Sequence, residues 1–152
     1  MLKNVPFFEY PRLWSDDRED FLSIIDNVSS TGGFILQQAV SDFETELANY
    51  AGANYSVGVG NATDGMEIFL EAIGIHPGDE VIISSHTMLA TASAIKVAGG
   101  IPIPVDIKND DNLISINAIE NAITDKTVGI MPTQLNGRIC DMDSIKAIAE
   151  KN

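Results

Sequence analysis

Basic residues are scarce in this sequence, with nine Lys and Arg against 22 Asp and Glu and a formal net charge of −13. Nucleic-acid binding draws its affinity from counterion release and needs many cations to spare for phosphates, so this composition argues against it. A small anionic ligand is still compatible, because one helix N-terminus or a single arginine can bind a phosphate inside an acidic protein. Cysteine is nearly absent: Cys140 stands alone, which excludes an intrachain disulfide and leaves a Cys-based zinc site without partners. Histidine occurs twice, as His76 and His86, and two separated imidazoles without a ligand cluster specify neither a metal site nor a general base. His76, beside Pro77-Gly78, is a turn residue by its context. Long apolar runs are missing too. The opening Met1 to Pro6 lacks the pattern of a secretion signal, and no later stretch approaches the length needed to span a bilayer. The expected compartment is the cytoplasm, with neither nucleic acid nor membrane as partner.

What is present is enough for a folded domain: 152 residues, 45% apolar and 20% charged, without low-complexity tract, repeat or linker. Ser15 followed by Asp16, Asp17 and Glu19 suggests a helix start, continued by Phe21, Ile24, Ile25 and Val28 at helical spacing and ended by Thr31-Gly32-Gly33. Ser41-Asp42-Phe43-Glu44 fits a capping box, opening a second helix that closes near Gly52. From Tyr55 the rhythm changes to strand, glycine-bearing loop and helix. Candidate strands are Tyr55 to Val59, Val81 to Ser84, Ile101 to Ile107 and Val128 to Pro132, with helical patterns around Met66 to Ile73, Met88 to Val97, Asn117 to Ile123 and Asp141 to Lys151. The expectation is an α/β fold with a mostly parallel sheet and flanking helices, residues 1–54 forming a helical segment and 55–152 the sheet-containing part. Pro102 and Pro104 lie two apart, so their missing N–H groups fall on one side and place that strand at a sheet edge.

In such a sheet the loops following the strands gather at one rim, where ligands of open α/β folds bind. The loops at that rim are Gly60 to Gly65, Ser85 to Thr87 and Thr133 to Arg138. Gly58-Val59-Gly60-Asn61-Ala62-Thr63-Asp64-Gly65 is the strongest local signal. A glycine allows close backbone approach, the free N–H groups of a helix start point outward, and Thr63 adds a hydroxyl, a combination suited to a phosphate. The same residues also fit a tight turn with Asn61 or Thr63 as an ordinary helix cap. A dinucleotide-binding reading begins with Gly58 and Gly60 but meets Thr63 where a third glycine belongs, and two helices precede its first strand. Asp64 in a first helical turn complements the dipole and needs no catalytic role. Arg138 is the only cation in the rim loops; it could border a substrate, or be solvated or paired with an aspartate.

The ordered set Gly33-Phe34-Ile35, Phe43-Glu44, Asn61-Ala62-Thr63-Asp64, Pro77-Gly78-Asp79-Glu80-Val81-Ile82, Ser85-His86-Thr87, Gly99-Gly100-Ile101-Pro102, Val105-Asp106-Ile107 and Pro132 through Gly137 resembles the DegT/StrS sugar aminotransferase family, nearly end to end. The resemblance implies the large-domain portion of a fold type I transferase dependent on pyridoxal 5'-phosphate. Most such enzymes act on nucleotide-linked keto-sugars with an amino-acid donor, and a few relatives catalyse dehydration with the same cofactor. It assigns Ala62, Thr63 and Asp64 to the cofactor phosphate and puts Met88 against the pyridine ring, where the family usually carries an aromatic side chain. A thioether can still pack there through its polarizable sulfur, without offset ring stacking.

The family's chemistry also needs a lysine that bonds to the cofactor and an acid that keeps the pyridine nitrogen protonated. By the resemblance both follow the matched segment. Lys96, Lys108, Lys126, Lys146 and Lys151 match no such lysine motif, and none is assigned a catalytic role. The expectation is therefore a truncated, inactive amino-terminal portion of a homodimeric enzyme, prone to self-association through uncovered strand edges. Two alternatives stay open: a non-catalytic phosphate- or nucleotide-binding module, and a dinucleotide-dependent oxidoreductase.

Overall fold

The computed structural model describes residues 5–152; most of the Met1 to Pro6 stretch, expected to be no secretion signal, lies outside them. Two compact units divide between Gly58 and Val59.

The first unit contains α1 (Tyr10–Ser30) and α2 (Gln38–Ala51). Helix α1 begins earlier than Ser15. Pro11 occupies its first turn, where no intrahelical N–H is required, and the Ser15 hydroxyl donates to the Arg12 carbonyl at 3.0 Å from within the helix. The capping box at Ser41 does not form either. Helix α2 is already under way there, and Glu44 Oε1 instead accepts the Gly58 N–H at 2.7 Å. Its end agrees with expectation: Gly52 adopts a left-handed conformation (φ 67°), and the Ala53 N–H reaches back to the Ala48 carbonyl. The run Tyr55 to Val59, expected as a strand, forms no regular element. A strand needs a neighbour to take its backbone groups, and none pairs with it among the described residues.

The second unit is α/β. Helix α3 (Ala62–Ala72) precedes β1 (Glu80–Ser84), α4 (Leu89–Val97), β2 (Ile101–Val105), α5 (Ile116–Ala122), β3 (Thr127–Met131) and α6 (Met142–Lys151). The three strands form a parallel sheet ordered β2-β1-β3. Strand β1 is central and buried on both faces, which explains its unbroken apolar run Val81-Ile82-Ile83. Val81 and Ile83 pack with Leu70, Ala94 and Ile95 of α3 and α4. On the opposite face Ile82 packs with Ile119 of α5 and Ile145 and Ile148 of α6. The split follows from handedness. The chain moves from β1 to β2 in one direction and from β2 back past β1 to β3 in the other, so right-handed crossovers place α4 and α5 on opposite faces.

Strand β2 lies at the edge, as its prolines required. The Ile101 N–H donates to the Asp79 carbonyl at 2.7 Å and the Val105 carbonyl accepts from Ser85 at 2.9 Å, so the odd-numbered residues face β1 and Pro102 and Pro104 face outward. The strand stops at Val105, short of Ile107, which instead makes an isolated antiparallel bridge with Ile114. Strand β3 forms the other edge, with a register irregularity that leaves Val128 without a partner on β1.

Ile119 is fully buried. Ile119→Ala is expected to destabilise the fold by about 2–5 kcal/mol and Ile119→Val by about 0.5–1.5 kcal/mol, measured by urea unfolding.

Candidate functional site

The site begins at the N-terminus of α3. Asn61 caps the helix: its Oδ1 accepts the Asp64 N–H at 3.0 Å and its Nδ2 donates to Asp64 Oδ2 at 3.0 Å. The Gly65 N–H returns to the Asn61 carbonyl. Among the described residues no acceptor takes the amides of Ala62 and Thr63, so they carry the unsatisfied donors and positive end of the helix dipole. Thr63 is half-buried and makes no side-chain hydrogen bond within the described residues, which leaves its hydroxyl beside those amides. A Cβ at Gly60 would lie 2.8 Å from Asp64 Oδ2, so a side chain there would displace the carboxylate that Asn61 holds. Asp64 is thus a capping partner held by Asn61, and the Ala62 and Thr63 amides and the Thr63 hydroxyl are the donors left at the helix start. These donors fit a phosphate group.

Short connections bring the other loops to the same end of this unit. Helices α3 and α4 pack against each other on one face of the sheet; short links join the end of α3 to the start of β1 and the end of β1 to the start of α4, which puts both helix N-termini toward the strand's C-terminal rim. Met88 is the N-cap of α4, with extended backbone (φ −72°, ψ 145°), and its carbonyl accepts the Thr91 N–H at 3.0 Å. Its side chain is 78% exposed at the mouth of an open apolar recess shared with Leu89, Ala92, Pro102 and Pro104. It is not a core residue, so its apolar surface is available to a flat ring. His86 is exposed, and His76 is a turn residue whose N–H donates to Asp79 Oδ2 at 2.8 Å. Among the described residues no group of three His, Cys, Asp or Glu could hold a metal.

Sequence reasoning missed a hydroxyl cluster across the rim. Thr87 Oγ1 lies 2.9 Å from Thr91 Oγ1 and 2.7 Å from Thr133 Oγ1. Thr133 is 46 residues from Thr87, and no local pattern signals a bond at that separation. Below it, buried Cys140 donates its thiol to the Thr133 carbonyl at 3.4 Å and its N–H to Gln134 Oε1 at 2.6 Å.

Arg138 is exposed and makes no carboxylate ion pair among the described residues; its Nη1 donates to the Asp111 carbonyl at 2.7 Å. It braces the turn after β2. There the Lys108 ammonium donates to Asp111, whose carboxylate also accepts the Leu113 N–H at 2.8 Å. The Lys108 hydrogen bond first, then that from Leu113, holds the Asp111 carboxyl below its ordinary value, and the same pair raises Lys108.

A parallel sheet sandwiched by helices, with a helix start and an exposed apolar side chain at one rim, defines an open-sheet α/β protein. The chain belongs to the DegT/DnrJ/EryC1/StrS aminotransferase family, whose sequence pattern matches residues 15–152. It is 36% identical to the dTDP-3-amino-3,4,6-trideoxy-alpha-D-glucose transaminase of Micromonospora megalomicea subsp. nigra, over 94% of this chain and 37% of that one. The crystal structure of S. venezuelae DesV in complex with a ketimine intermediate superposes with a TM-score of 0.95 at 32% identity, covering 99% of this chain and 40% of that one. NtdA from Bacillus subtilis, with bound cofactor PMP, superposes with a TM-score of 0.94 at 37% identity, covering 99% and 35%. The chain spans 37–40% of the length of the first curated relatives it matches.

Asn61→Ala is expected to cost about 1 kcal/mol through loss of the α3 cap, measured as a shift in the denaturation midpoint. Asp111 gives a pH signature. A carboxyl held low in the fold contributes stability above its unfolded value of about 3.9 and loses it as pH falls through the lower folded value. Asp111→Asn should therefore lower stability at neutral pH and flatten its fall below about pH 4, read from unfolding curves across that window.

Proposed function

We propose that this chain forms the cofactor-phosphate portion of a pyridoxal 5'-phosphate-dependent aminotransferase that acts on a nucleotide-linked keto-sugar with an amino-acid donor. The observation carrying this reading is the start of α3, where among the described residues no acceptor takes the Ala62 and Thr63 amides or the Thr63 hydroxyl, at the same rim as Met88. Ala62 and Thr63 would hold the phosphate, Asp64 would keep the loop closed through Asn61, and Met88 would cover one face of the ring. When bound, the cofactor supplies an electron sink for carbanion chemistry. Two relatives support the substrate class: the dTDP-sugar transaminase above, and a UDP-2-acetamido-2-deoxy-3-oxo-D-glucuronate aminotransferase of Pseudomonas aeruginosa. In this reading the whole enzyme is a cytoplasmic homodimer.

The lysines favour binding without covalent capture by these residues. A lysine that bonds to the cofactor works best with its amine pKa lowered by burial or a neighbouring cation. Lys108 shows the opposite, since Asp111 stabilises its ammonium, and Lys96, Lys126, Lys146 and Lys151 are not buried. The 152-residue chain alone is accordingly inactive in transamination.

Binding of pyridoxal phosphate to the 152-residue chain, followed by borohydride reduction and peptide mass mapping, tests this. The expected result is reversible binding weakened about tenfold to a hundredfold by Thr63→Ala, the worth of one hydrogen bond to a charged group, with no single modified lysine. A unique reduced adduct would overturn the inactive reading, and binding indifferent to Thr63 would overturn the phosphate assignment.

A further inference from the structure

Strands β1 and β3 are neighbours in the sheet, yet the helices that follow them cover opposite faces: α4 lies with the Val81 and Ile83 side chains, and α6 with Ile82. Their outgoing loops therefore diverge and open a crevice at the C-terminal ends of the two strands, the place where ligands of open α/β sheets bind. One side-chain hydrogen bond spans that crevice, the 2.7 Å contact between Thr87 Oγ1 and Thr133 Oγ1.

We propose that Thr133 is a positioning residue, its hydroxyl fixing the Ser85–Met88 loop that presents Met88 to the cofactor. The claim rests on the cofactor reading above and adds a residue from a different loop to it. Thr87 is well placed to transmit the constraint. A hydroxyl has one proton to donate and two lone pairs, so Thr87 can donate to one threonine while accepting from the other, and both neighbours are anchored. Thr91 is 7% exposed in the first turn of α4. Thr133 is tied down from below by the Cys140 thiol on its carbonyl. The loop between them has few other holds: the Ser85 N–H bonds to Val105 at one end, the Thr91 N–H bonds to the Met88 carbonyl at the other, and His86 and the Met88 side chain are exposed. Removing the Thr133 hydroxyl leaves Thr87 held only by the helix it introduces, and the loop free to move across the crevice.

Thr133→Val keeps the shape and removes the hydroxyl; Thr133→Ser restores it. Amide hydrogen exchange on the 152-residue chain without cofactor gives the first readout. The Thr91 amide is expected to exchange about threefold to tenfold faster in Thr133→Val, with the Ile119 amide unchanged and Thr133→Ser close to the parent. Equal exchange in parent and valine variant, or a uniform change that includes Ile119, overturns the proposal. Pyridoxal phosphate binding and the circular dichroism it acquires on binding give the second. Thr133→Val should weaken binding by a similar factor and reduce that signal, with serine restoring both. If Thr63→Ala weakens binding and Thr133→Val does not, the positioning claim fails while the phosphate site stands. If neither matters, the phosphate reading fails and with it the cofactor arm of this claim, whereas the exchange result still decides whether Thr133 holds the loop.

Discussion

The burial of β1 on both faces is the constraint from which the rest of the α/β unit follows. A strand covered by α3 and α4 on one side and by α5 and α6 on the other must be apolar at consecutive positions, and Val81, Ile82 and Ile83 are each 3% exposed or less. Because the two layers are recruited by crossovers running in opposite directions along the sheet, adjacent strands send their loops apart. The rim crevice is thus a by-product of packing, and the chemistry-bearing residues are those that the strand ends deliver to it. Ser84, 1% exposed, marks where the apolar strand gives way to that polar rim.

The charge distribution fits this division of labour. With a net charge of −13, any anion would have to be drawn in by local fields at short range and not by the overall charge. At the α3 start the donors are backbone amides and a hydroxyl, whose partial charges are fixed in direction and need no cationic side chain. The cation that sequence reading placed nearest the rim, Arg138, is engaged elsewhere, with Lys108 and Asp111 in the turn leaving β2. That cluster shapes the connection from β2 to α5.

Much of this was legible in the sequence, for identifiable reasons. The strand-loop-helix rhythm survived because β1, β2 and β3 are short apolar runs bounded by turns, and the edge position of β2 could be read from the spacing of Pro102 and Pro104 alone. Asn61 was legible as a cap because its partner is three residues away. What failed depended on distant partners. Tyr55 to Val59 has the composition of a strand, but strand identity belongs to a pair. Ser41 and Glu44 have the spacing of a capping box, but Glu44 is taken by the Gly58 amide. The Thr87–Thr133 bond joins two loops that are neighbours only once the sheet has formed. For the family itself, the ordered motifs along the chain were sufficient.

The outward prolines of β2 have a consequence for assembly. A sheet grows by offering backbone donors and acceptors to an incoming strand, and the β2 flank has lost two donors in succession, whereas the β3 flank, Thr127-Val128-Gly129-Ile130-Met131, contains no proline and no charge. The sheet is therefore polar in the sense that a crystal with one poisoned face is polar: accretion of further strands is directed to a single side, and the order β2-β1-β3 has a built-in terminus and a built-in growing end.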